Sequence, residues 1–364
     1  MSVSTRRHHR RSGPKIAAGA ALVALLVSAC SSSGSSSSAT SSSAASSAEA
    51  AASGSSAADA SAFPVEIDSA FGTATIEAAP QKVAVIGFTE GDTVLAAGTV
   101  PVSFFEFAFP GEIGGPWATE LLDGQTPALL KGELNVEQIA ALQPDLIIGI
   151  NQALTQQQYD QFSTIAPTLA RPAEYTDYGV PPEVQAEMIG EALGKSAEIA
   201  ELSADVEDQV AQAAADHPEF EGKTVSVVWP SAGGDWFAWS TTDPRVQLME
   251  SLGLVQSPDI EALGTDAFFH TVSAENTEQI DADVIVILDV DKVKATVEAS
   301  PVFNSLDAVK NGQVVWVTDP NVIGALSYGS VLSLPYAIAA IVPALAETIG
   351  AAAVSSSSAV VTTS

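Results

Sequence analysis

One pattern occurs twice in the chain and constrains its fold more than any other feature. Glu137 is followed eight residues later by Asp145 and a run of apolar residues, and Glu275 is followed eight residues later by Asp283 and a similar run. In both copies the residues around the Glu have helical spacing, whereas the apolar run has the length of a buried strand. A helix followed by a strand that is apolar on both faces is the unit of a parallel sheet covered by helices. The repetition therefore predicts two similar α/β lobes.

Strand and helix signals alternate around both copies. In the first half they fall at residues 63–76 (a hairpin), 82–86, 90–97, 100–104, 136–142 and 145–150. In the second half they fall at residues 223–229, 244–252, 275–280, 283–289, 301–310, 313–318 and 332–349. Between the halves, residues 182–216 carry apolar side chains at helical spacing, with a break at Gly194 and a candidate N-cap at Ser196. We expect an α/β fold of two Rossmann-like lobes with mostly parallel sheets, joined by a single long helix that permits only a small lobe closure.

The N-terminus has the features of a lipoprotein signal. Basic residues precede an apolar stretch at residues 16–27, which is too short to span a bilayer of about 30 Å, and Val27-Ser28-Ala29-Cys30 resembles a lipobox. We expect cleavage before Cys30 and lipidation of this residue; the alternative is an ordinary secretory signal that leaves an unpaired thiol. The expected divisions are a signal peptide (1–29), a Ser/Ala-rich tether (30–62), an N-terminal lobe (63–180), a connecting helical segment (181–216), a C-terminal lobe (217–350) and a low-complexity tail (351–364).

Composition excludes several classes of function. The chain has 14 Lys and Arg against 44 Asp and Glu, a net charge of −30, so we expect no nucleic-acid partner, because binding to phosphates requires basic side chains. After the signal segment the only histidines are His217 and His270, too few for a Zn or Mn cluster or for Ser-His chemistry. The sequence contains no nucleophile elbow, P-loop or dinucleotide-binding glycine motif. We therefore expect a protein that is not an enzyme, with no catalytic residues, no metal site of its own and no cofactor.

Seven segments of the chain carry a family resemblance. They are VAVIGFTEGDTVLAAGTVPV (83–102), LNVEQIAALQPDLIIGI (134–150), LTQQQYDQFSTIAPTLA (154–170), MIGEALGKSAEIAEL (188–202), DPRVQLMESLGL (243–254), VSAENTEQIDADVIVI (272–287) and SYGSVLSLPYAI (327–338). In this order they resemble the iron-siderophore solute-binding lipoproteins of ABC importers, the FecB-like, class III periplasmic-binding type, in an actinobacterial style. The resemblance covers about residues 63–350 and implies two lobes, a rigid connecting helix and a ligand cleft between the lobes.

Two carboxylates are candidates for contact with a permease. The resemblance implies that Glu137 and Glu275, one in each lobe, dock onto arginines of the membrane permease. The internal repeat independently places both residues in the first turn of a helix. A carboxylate there is also stabilised by the helix dipole, by about 0.3–1 kcal/mol without any partner, and this alternative stays open.

Two aromatic segments follow predicted strands and are candidates for ligand contact. Ligands of open α/β sheets are bound by the loops after the carboxyl ends of strands. The first segment contains Phe105 and Phe107, with Trp117 shortly after, and the second contains Trp236 and Trp239 beside a glycine pair. Large aromatic rings offer broad contact surfaces to an organic ligand. The alternative for each ring is ordinary packing in a core.

Arg245, Tyr159 and Tyr328 complete the candidate ligand-binding residues. The guanidinium of Arg245 could donate to hydroxamate or carboxylate oxygens around a ferric centre. Its alternative is a salt bridge with Asp243 or Glu250 at the start of a helix. Tyr328 could equally be a packed residue before the last helix.

The sequence as a whole predicts a lipid-anchored binding protein on the extracytoplasmic face of the cytoplasmic membrane. We expect a monomer that binds a ferric siderophore between its lobes and delivers it to an ABC permease. The scarcity of basic residues favours a neutral or cationic hydroxamate chelate over a ferric tricatecholate with about three negative charges. The alternatives are a receptor for another chelate, such as haem or a corrinoid, and a surface lipoprotein that is not a receptor.

Overall fold

The part of the chain that the structure describes begins with a β-hairpin, as predicted. A computed structural model of the protein describes residues 62–109, 112–264 and 267–350, and the backbone of residues 359–361. The predicted signal peptide, Cys30 and nearly all of the predicted tether lie outside these residues. Strands β1 (Val65–Asp68) and β2 (Thr73–Ile76) are antiparallel around a turn at Gly72, and Ile67, Ala74 and Ile76 bury their side chains in the first lobe.

The N-terminal lobe contains a five-stranded parallel sheet in the order β5-β4-β3-β6-β7. Its elements are β3 (Val83–Val85), α1 (Glu90–Ala96), β4 (Ser103–Phe105), β5 (Ala128–Leu130), α2 (Val136–Ala141), β6 (Leu146–Gly149), α3 (Gln156–Ser163) and β7 (Thr168–Ala170), with short 3-10 helices at Pro116–Ala118 and Glu120–Leu122. Every residue of β3 and β6 is buried, which is why these strands are apolar on both faces. The three-residue strands β5 and β7 were not predicted.

Two helices lie between the sheets of the two lobes, and the second is the single long connecting helix that the sequence predicts. Helix α4 (Pro182–Leu193) ends at Gly194, whose φ of 66° is left-handed, and α5 (Ser196–Asp216) follows directly. The N-cap of α5 is Lys195, one residue before the predicted Ser196. Helix α5 has 21 residues and is therefore about 32 Å long. Its first half packs on the N-terminal lobe through Ile199, and its second half packs on the C-terminal lobe through Val210.

The C-terminal lobe contains a seven-stranded sheet. Its elements are β8 (Thr224–Pro230), β9 (Trp236–Trp239), α6 (Pro244–Ser251), β10 (Val255–Gln256), α7 (Pro258–Glu261), β11 (Phe269–Val272), β12 (Val284–Leu288), α8 (Lys294–Glu298), α9 (Asp307–Lys310), β13 (Val314–Val317), α10 (Pro320–Tyr328), α11 (Ser333–Gly350) and β14 (Ala359–Val361), with 3-10 helices at Pro218–Phe220, Ala274–Ile280 and Phe303–Ser305. The strand order is β11-β9-β8-β12-β13-β14, with β10 beside the start of β8. Only β9 runs antiparallel to its neighbours β8 and β11, so the sheet is mostly parallel, as predicted.

Two features of this lobe differ from the sequence analysis or add to it. The aromatic segment after β8 is not a loop, because residues 236–239 form strand β9. Residues 359–361, within the predicted low-complexity tail, pair with β13 at the sheet edge. Helix α11 is long and apolar enough to cross a membrane by length and composition alone, but Ala337, Ile341 and Leu345 on it belong to the core of this lobe.

The structure explains the repeated pattern of the sequence. Asp145 precedes β6 and accepts hydrogen bonds from the backbone N–H groups of Gln81 and Lys82, both at 2.8 Å, at the entry to β3. Asp283 precedes β12 and accepts from the backbone N–H of Thr224 (2.9 Å), the first residue of β8. Strand β6 pairs with β3 and β12 pairs with β8, both in parallel. The same side chain therefore fixes the same pair of strands in each lobe.

Candidate functional site

A cavity of about 410 Å³ lies between the two lobes. From the N-terminal lobe and α4 it is lined by Phe88, Thr89, Phe107, Asn151, Tyr178 and Gln185, and from the C-terminal lobe by Trp229, Phe237, Trp239, Pro244, Arg245, Phe268, Phe269, Ser327 and Tyr328. Phe88, Phe107 and Asn151 follow β3, β4 and β6, so they come from the carboxyl ends of parallel strands. The volume is that of a typical site for a small organic molecule. We call this cavity the cleft.

The structure brings together half of the candidate ligand-binding residues. Phe107, Trp239, Arg245 and Tyr328 line the cleft. Phe105, Trp117, Tyr159 and Trp236 do not line it and pack elsewhere in the lobes. The physical reasons differ from one residue to the next.

Trp236 is directed away from the cleft by the alternation of strand β9. Trp236 and Ala238 lie on one face of the strand and enter a core of the C-terminal lobe, whereas Phe237 and Trp239 on the other face line the cleft. The indole Nε1 of Trp236 donates to Thr277 Oγ1 at 3.1 Å, and its ring stacks on Phe303. Trp236 is therefore a core residue.

Trp117 takes part in the contact between the lobes. Its Nε1 donates to Asp92 Oδ2 at 2.7 Å. Its ring lies 5.9 Å from that of Tyr328 and 5.5 Å from that of Tyr336, both on the C-terminal lobe. Because a buried carboxylate and two rings hold the indole, it is fixed behind the cleft wall rather than in the wall.

Phe105 and Tyr159 belong to the core of the N-terminal lobe. The ring of Phe105 is buried and packs edge-on against Phe88, with their centroids 4.9 Å apart. Tyr159 lies on α3 and contacts Phe71 and the hairpin turn at Gly72. Phe105 therefore supports the cleft through Phe88, and Tyr159 anchors the hairpin.

Arg245 forms the salt bridge with Asp243 that the sequence left open as an alternative, and does so from the wall of the cleft. It lines the cleft and also forms a salt bridge with Asp243, in which Nη2 donates to Oδ2 at 2.6 Å and Nε donates to Oδ1 at 2.8 Å. Nη1 donates to Ser327 Oγ at 3.2 Å, and the guanidinium carbon lies 3.9 Å from the ring centre of Trp239. These contacts hold the guanidinium in one orientation.

A polar network that the sequence analysis missed lies on the opposite wall. Asn151 Nδ2 donates to Thr89 Oγ1 (2.9 Å), Thr89 Oγ1 donates to Gln185 Oε1 (3.0 Å), and Gln185 Nε2 donates to the carbonyl of Val180 (2.8 Å). Oδ1 of Asn151 is buried and has no hydrogen-bond partner among the described residues. The sequence signal that could have identified Thr89 and Asn151 as cleft residues is their position in the loops after β3 and β6.

Trp229 is the other missed residue with an unused polar group. It stands near the end of β8, lines the cleft, and packs against Phe237 and Trp239. Its Nε1–H is buried and has no acceptor within the described parts of the chain. A buried group without a partner costs about 1–3 kcal/mol, so a ligand that supplies one gains that free energy.

A buried carboxylate stands behind the cleft. Asp92 on α1 accepts hydrogen bonds at Oδ2 from Trp117 Nε1 and Ser330 Oγ, both at 2.7 Å, and thereby joins the two lobes. Burial raises the pKa of Asp92 to about 6, although the two hydrogen bonds oppose this shift. Burial and the nearby Asp92 charge both raise the pKa of the Tyr328 hydroxyl above its usual range.

Glu137 and Glu275 occupy equivalent positions on the surface. Both are exposed and lie in the first turn of a helix, Glu137 on α2 and Glu275 on the 3-10 helix Ala274–Ile280. The Asn135 side chain caps the first of these helices by accepting from the N–H of Gln138 at 2.8 Å. The carboxylates are therefore free to meet another protein.

His217 and His270 make local contacts. His217 Nδ1 lies 2.9 Å from Glu219 Oε1, and His270 Nε2 lies 2.7 Å from the carbonyl of Gly264. Within residues 62–109, 112–264 and 267–350, no three His, Cys, Asp or Glu side chains are grouped so that they could hold a metal ion.

Comparison with known proteins assigns the chain to a family. The family model described as "Periplasmic binding protein" matches residues 115–320, more than half of the chain. A curated relative, "Probable siderophore-binding lipoprotein YfiY" of Bacillus subtilis, is 29% identical over 274 residues, which are 69% of this chain and 81% of that protein.

Solved structures agree with this assignment. A periplasmic solute binding protein from Mycobacterium smegmatis has 31% identity and a TM-score of 0.70 over 79% of this chain and 99% of that one. Streptococcus pneumoniae PiaA in complex with ferrichrome has 27% identity and a TM-score of 0.68 over 79% of this chain and 99% of that one. These matches confirm both the resemblance found in the sequence and the two-lobed fold. The chain belongs to the periplasmic binding protein family.

Proposed function

We propose that this protein is the solute-binding component of an ABC importer and that it binds a ferric siderophore of hydroxamate type in the cleft. The observation that carries the proposal is the cleft itself, which lies between the lobes and is walled by aromatic rings from both of them. The relative named for siderophore binding supports a siderophore as the ligand, and the similar structure that contains ferrichrome supports the hydroxamate type.

The charge of the cleft supports a chelate of low charge. Arg245 is the only ionised side chain among its described lining residues, and Asp243 pairs with it. A ferric tricatecholate brings about three negative charges and would meet no unbalanced positive charge here. A neutral or cationic ferric hydroxamate places its apolar arms on the rings and its carbonyl oxygens near the N–H groups of Arg245 and Trp229.

The proposal includes the partners of the protein. Glu137 and Glu275 dock the loaded protein onto basic residues of the permease, one contact for each lobe. Cys30 carries the lipid that holds the protein at the extracytoplasmic face of the cytoplasmic membrane. The ferric chelate is cargo, and the protein works as a monomer with no resident cofactor and no catalytic step.

Tryptophan fluorescence tests the ligand directly, because Trp229 and Trp239 line the cleft. The purified protein is titrated in parallel with ferrioxamine B, a ferric tricatecholate, haem and cobalamin. Saturable sub-micromolar quenching by ferrioxamine B alone is the expected result. Quenching by another of the four compounds would support the receptor function but identify a different ligand. Absence of quenching by all four would contradict the receptor function.

A further inference from the structure

Asp243 makes more contacts than a helix cap needs. It is the N-cap of α6, and its Oδ1 accepts from the backbone N–H of Arg245 at 2.8 Å. Ser, Thr or Asn supplies such a bond equally well, because one side-chain oxygen is enough. The second oxygen, Oδ2, accepts a hydrogen bond from Arg245 Nη2 at 2.6 Å. The contacts beyond the helix cap are all with the guanidinium of Arg245, so the role of the carboxylate is to balance the positive charge of that group.

The position of this carboxylate relative to the cleft is asymmetric. Arg245 lines the cleft, whereas Asp243 is fully buried and is not among the lining residues. The carboxylate holds the Nε and Nη2 edge of the guanidinium, and Trp239 covers one of its faces. A bound molecule thus meets the N–H groups of Arg245 while the compensating negative charge stays out of its reach.

We propose that Asp243 is a specificity-determining residue that cancels the charge of Arg245 and so selects ferric chelates by charge. The inference rests on the proposed function and adds to it the group that sets the charge preference. Arg245 donates hydrogen bonds to the chelate, and Asp243 removes the positive charge that would otherwise attract anionic chelates. The wild-type cleft then favours neutral and cationic chelates.

Coulomb's law gives the size of the effect. A unit charge roughly 8 Å from the chelate, at an effective dielectric constant of about 20–40, changes affinity roughly 5- to 30-fold for each unit of ligand charge. A trianionic chelate therefore responds far more strongly than a monocation, and in the opposite direction. The difference shrinks as salt is added, because screening weakens the interaction.

Three variants form a charge series. Asp243→Asn keeps a good N-cap and leaves Arg245 uncompensated, Arg245→Gln leaves Asp243 uncompensated, and the double variant is neutral again. Affinities for ferrioxamine B, a monocation, and for a ferric tricatecholate are measured by tryptophan quenching at two salt concentrations. The ratio of tricatecholate affinity to ferrioxamine affinity should rise at least about tenfold in Asp243→Asn, fall by a similar factor in Arg245→Gln, and return toward wild type in the double variant.

A matched control and a stability check separate charge from structure. Asp319→Asn changes the corresponding Asp-Pro cap of α10, where Oδ1 accepts from the N–H of Asn321 at 2.8 Å, and should leave the ratio at its wild-type value. Melting temperatures show whether each variant folds; if Asp243→Asn does not, Arg245→Gln still tests the opposite sign with the cap intact.

Three outcomes would overturn the proposal. One is an equal loss of affinity for both chelates in every variant, which would make Asp243 a purely structural residue. Another is an unchanged ratio in Asp243→Asn when that variant is folded. Failure of the wild-type protein to bind any of the chelates would refute the proposed function and this inference together, and is distinguished by the wild-type titration alone.

Discussion

Replacement of Asp92 by Asn should change how stability depends on pH. The Asp92 carboxylate is fully buried, and only Oδ2 has hydrogen-bond donors, while Oδ1 has no partner among the described residues. Burial of a charged group with half of its acceptors unused is costly. In Asp92→Asn the amide oxygen can take over the bonds from Trp117 and Ser330, and no charge is buried.

The sign and size of the effect follow from linkage. Burial raises the pKa of Asp92 from 3.8 to about 6 in the folded protein, so between these pH values the folded state binds more protons than the unfolded state. Stability from this residue is therefore greatest below about pH 4, falls as pH rises, and reaches its low value above about pH 6. The total change is about 3 kcal/mol.

Urea unfolding of both proteins between pH 4 and 8 measures this change. The free energy of unfolding of Asp92→Asn minus that of wild type should increase by about 2 kcal/mol from pH 4 to pH 7, because part of the total change falls below pH 4. The difference removes the contribution of Glu90, a second buried carboxylate whose pKa burial raises, because Glu90 is present in both proteins. Asp160→Asn, an exposed change on α3, is the control for loss of one negative charge.

Two results would refute this reasoning. A difference that stays constant within about 0.5 kcal/mol over this range would mean that Asp92 is not destabilised by burial as a charge. A difference that decreases with rising pH would mean that its hydrogen bonds from Trp117 and Ser330 outweigh the cost of removing the carboxylate from water.

Three further changes test the cleft, the docking surface and the contact between lobes. Trp239→Ala should weaken chelate binding by about 1–3 kcal/mol in fluorescence titrations, whereas Trp236→Ala should lower the free energy of urea unfolding by about 3–5 kcal/mol. If Trp236→Ala weakened binding and Trp239→Ala did not, the assignment of Trp239 to the cleft and Trp236 to the core would be wrong. Replacement of Glu137 and Glu275 by Arg should abolish iron uptake by cells with chelate affinity unchanged, and a loss of affinity would place them in the binding site. Gly324→Ala should destabilise the protein by about 1–3 kcal/mol in urea, since its new Cβ would overlap the ring of Phe109 from the other lobe, and an unchanged midpoint would show that this ring can move aside.

The fold could be predicted because the same helix and strand pattern occurs in both halves of the sequence. Helix and strand signals around Glu137 and Glu275 alternate with the spacing of an α/β unit, and the repeated Asp145 and Asp283 have the same role in both lobes. Helices α3 and α10 escaped prediction, and the strands that escaped it are short or unusual. Strands β5 and β7 have three residues each, and strand β9 carries large aromatic residues on both faces, so it shows no alternation of apolar and polar positions.

The site was harder to predict than the fold. Four candidates were predicted correctly as cleft residues: Phe107, Trp239, Arg245 and Tyr328. They could be predicted because strand ends and aromatic residues can be recognised in the sequence. The position of Trp117 could not be predicted, because its partner Asp92 lies 25 positions earlier and nothing in the sequence joins the two. Thr89, Asn151 and Trp229 were missed, although Thr89 and Asn151 follow strand ends, because a surface shared by two lobes depends on their packing as well as on local pattern.

The aromatic contact between the lobes has a kinetic consequence. Tyr328 lines the cleft and also packs against Phe107 and Phe109 of the N-terminal lobe, with ring centroids 5.4 Å and 6.1 Å apart. Part of the binding surface is thus ordered before any chelate arrives, and capture requires little immobilisation of side chains. Encounter is then limited mainly by diffusion and orientation, so chelates of similar size and charge should associate at similar rates. Differences in affinity among these chelates should therefore come from their dissociation rates.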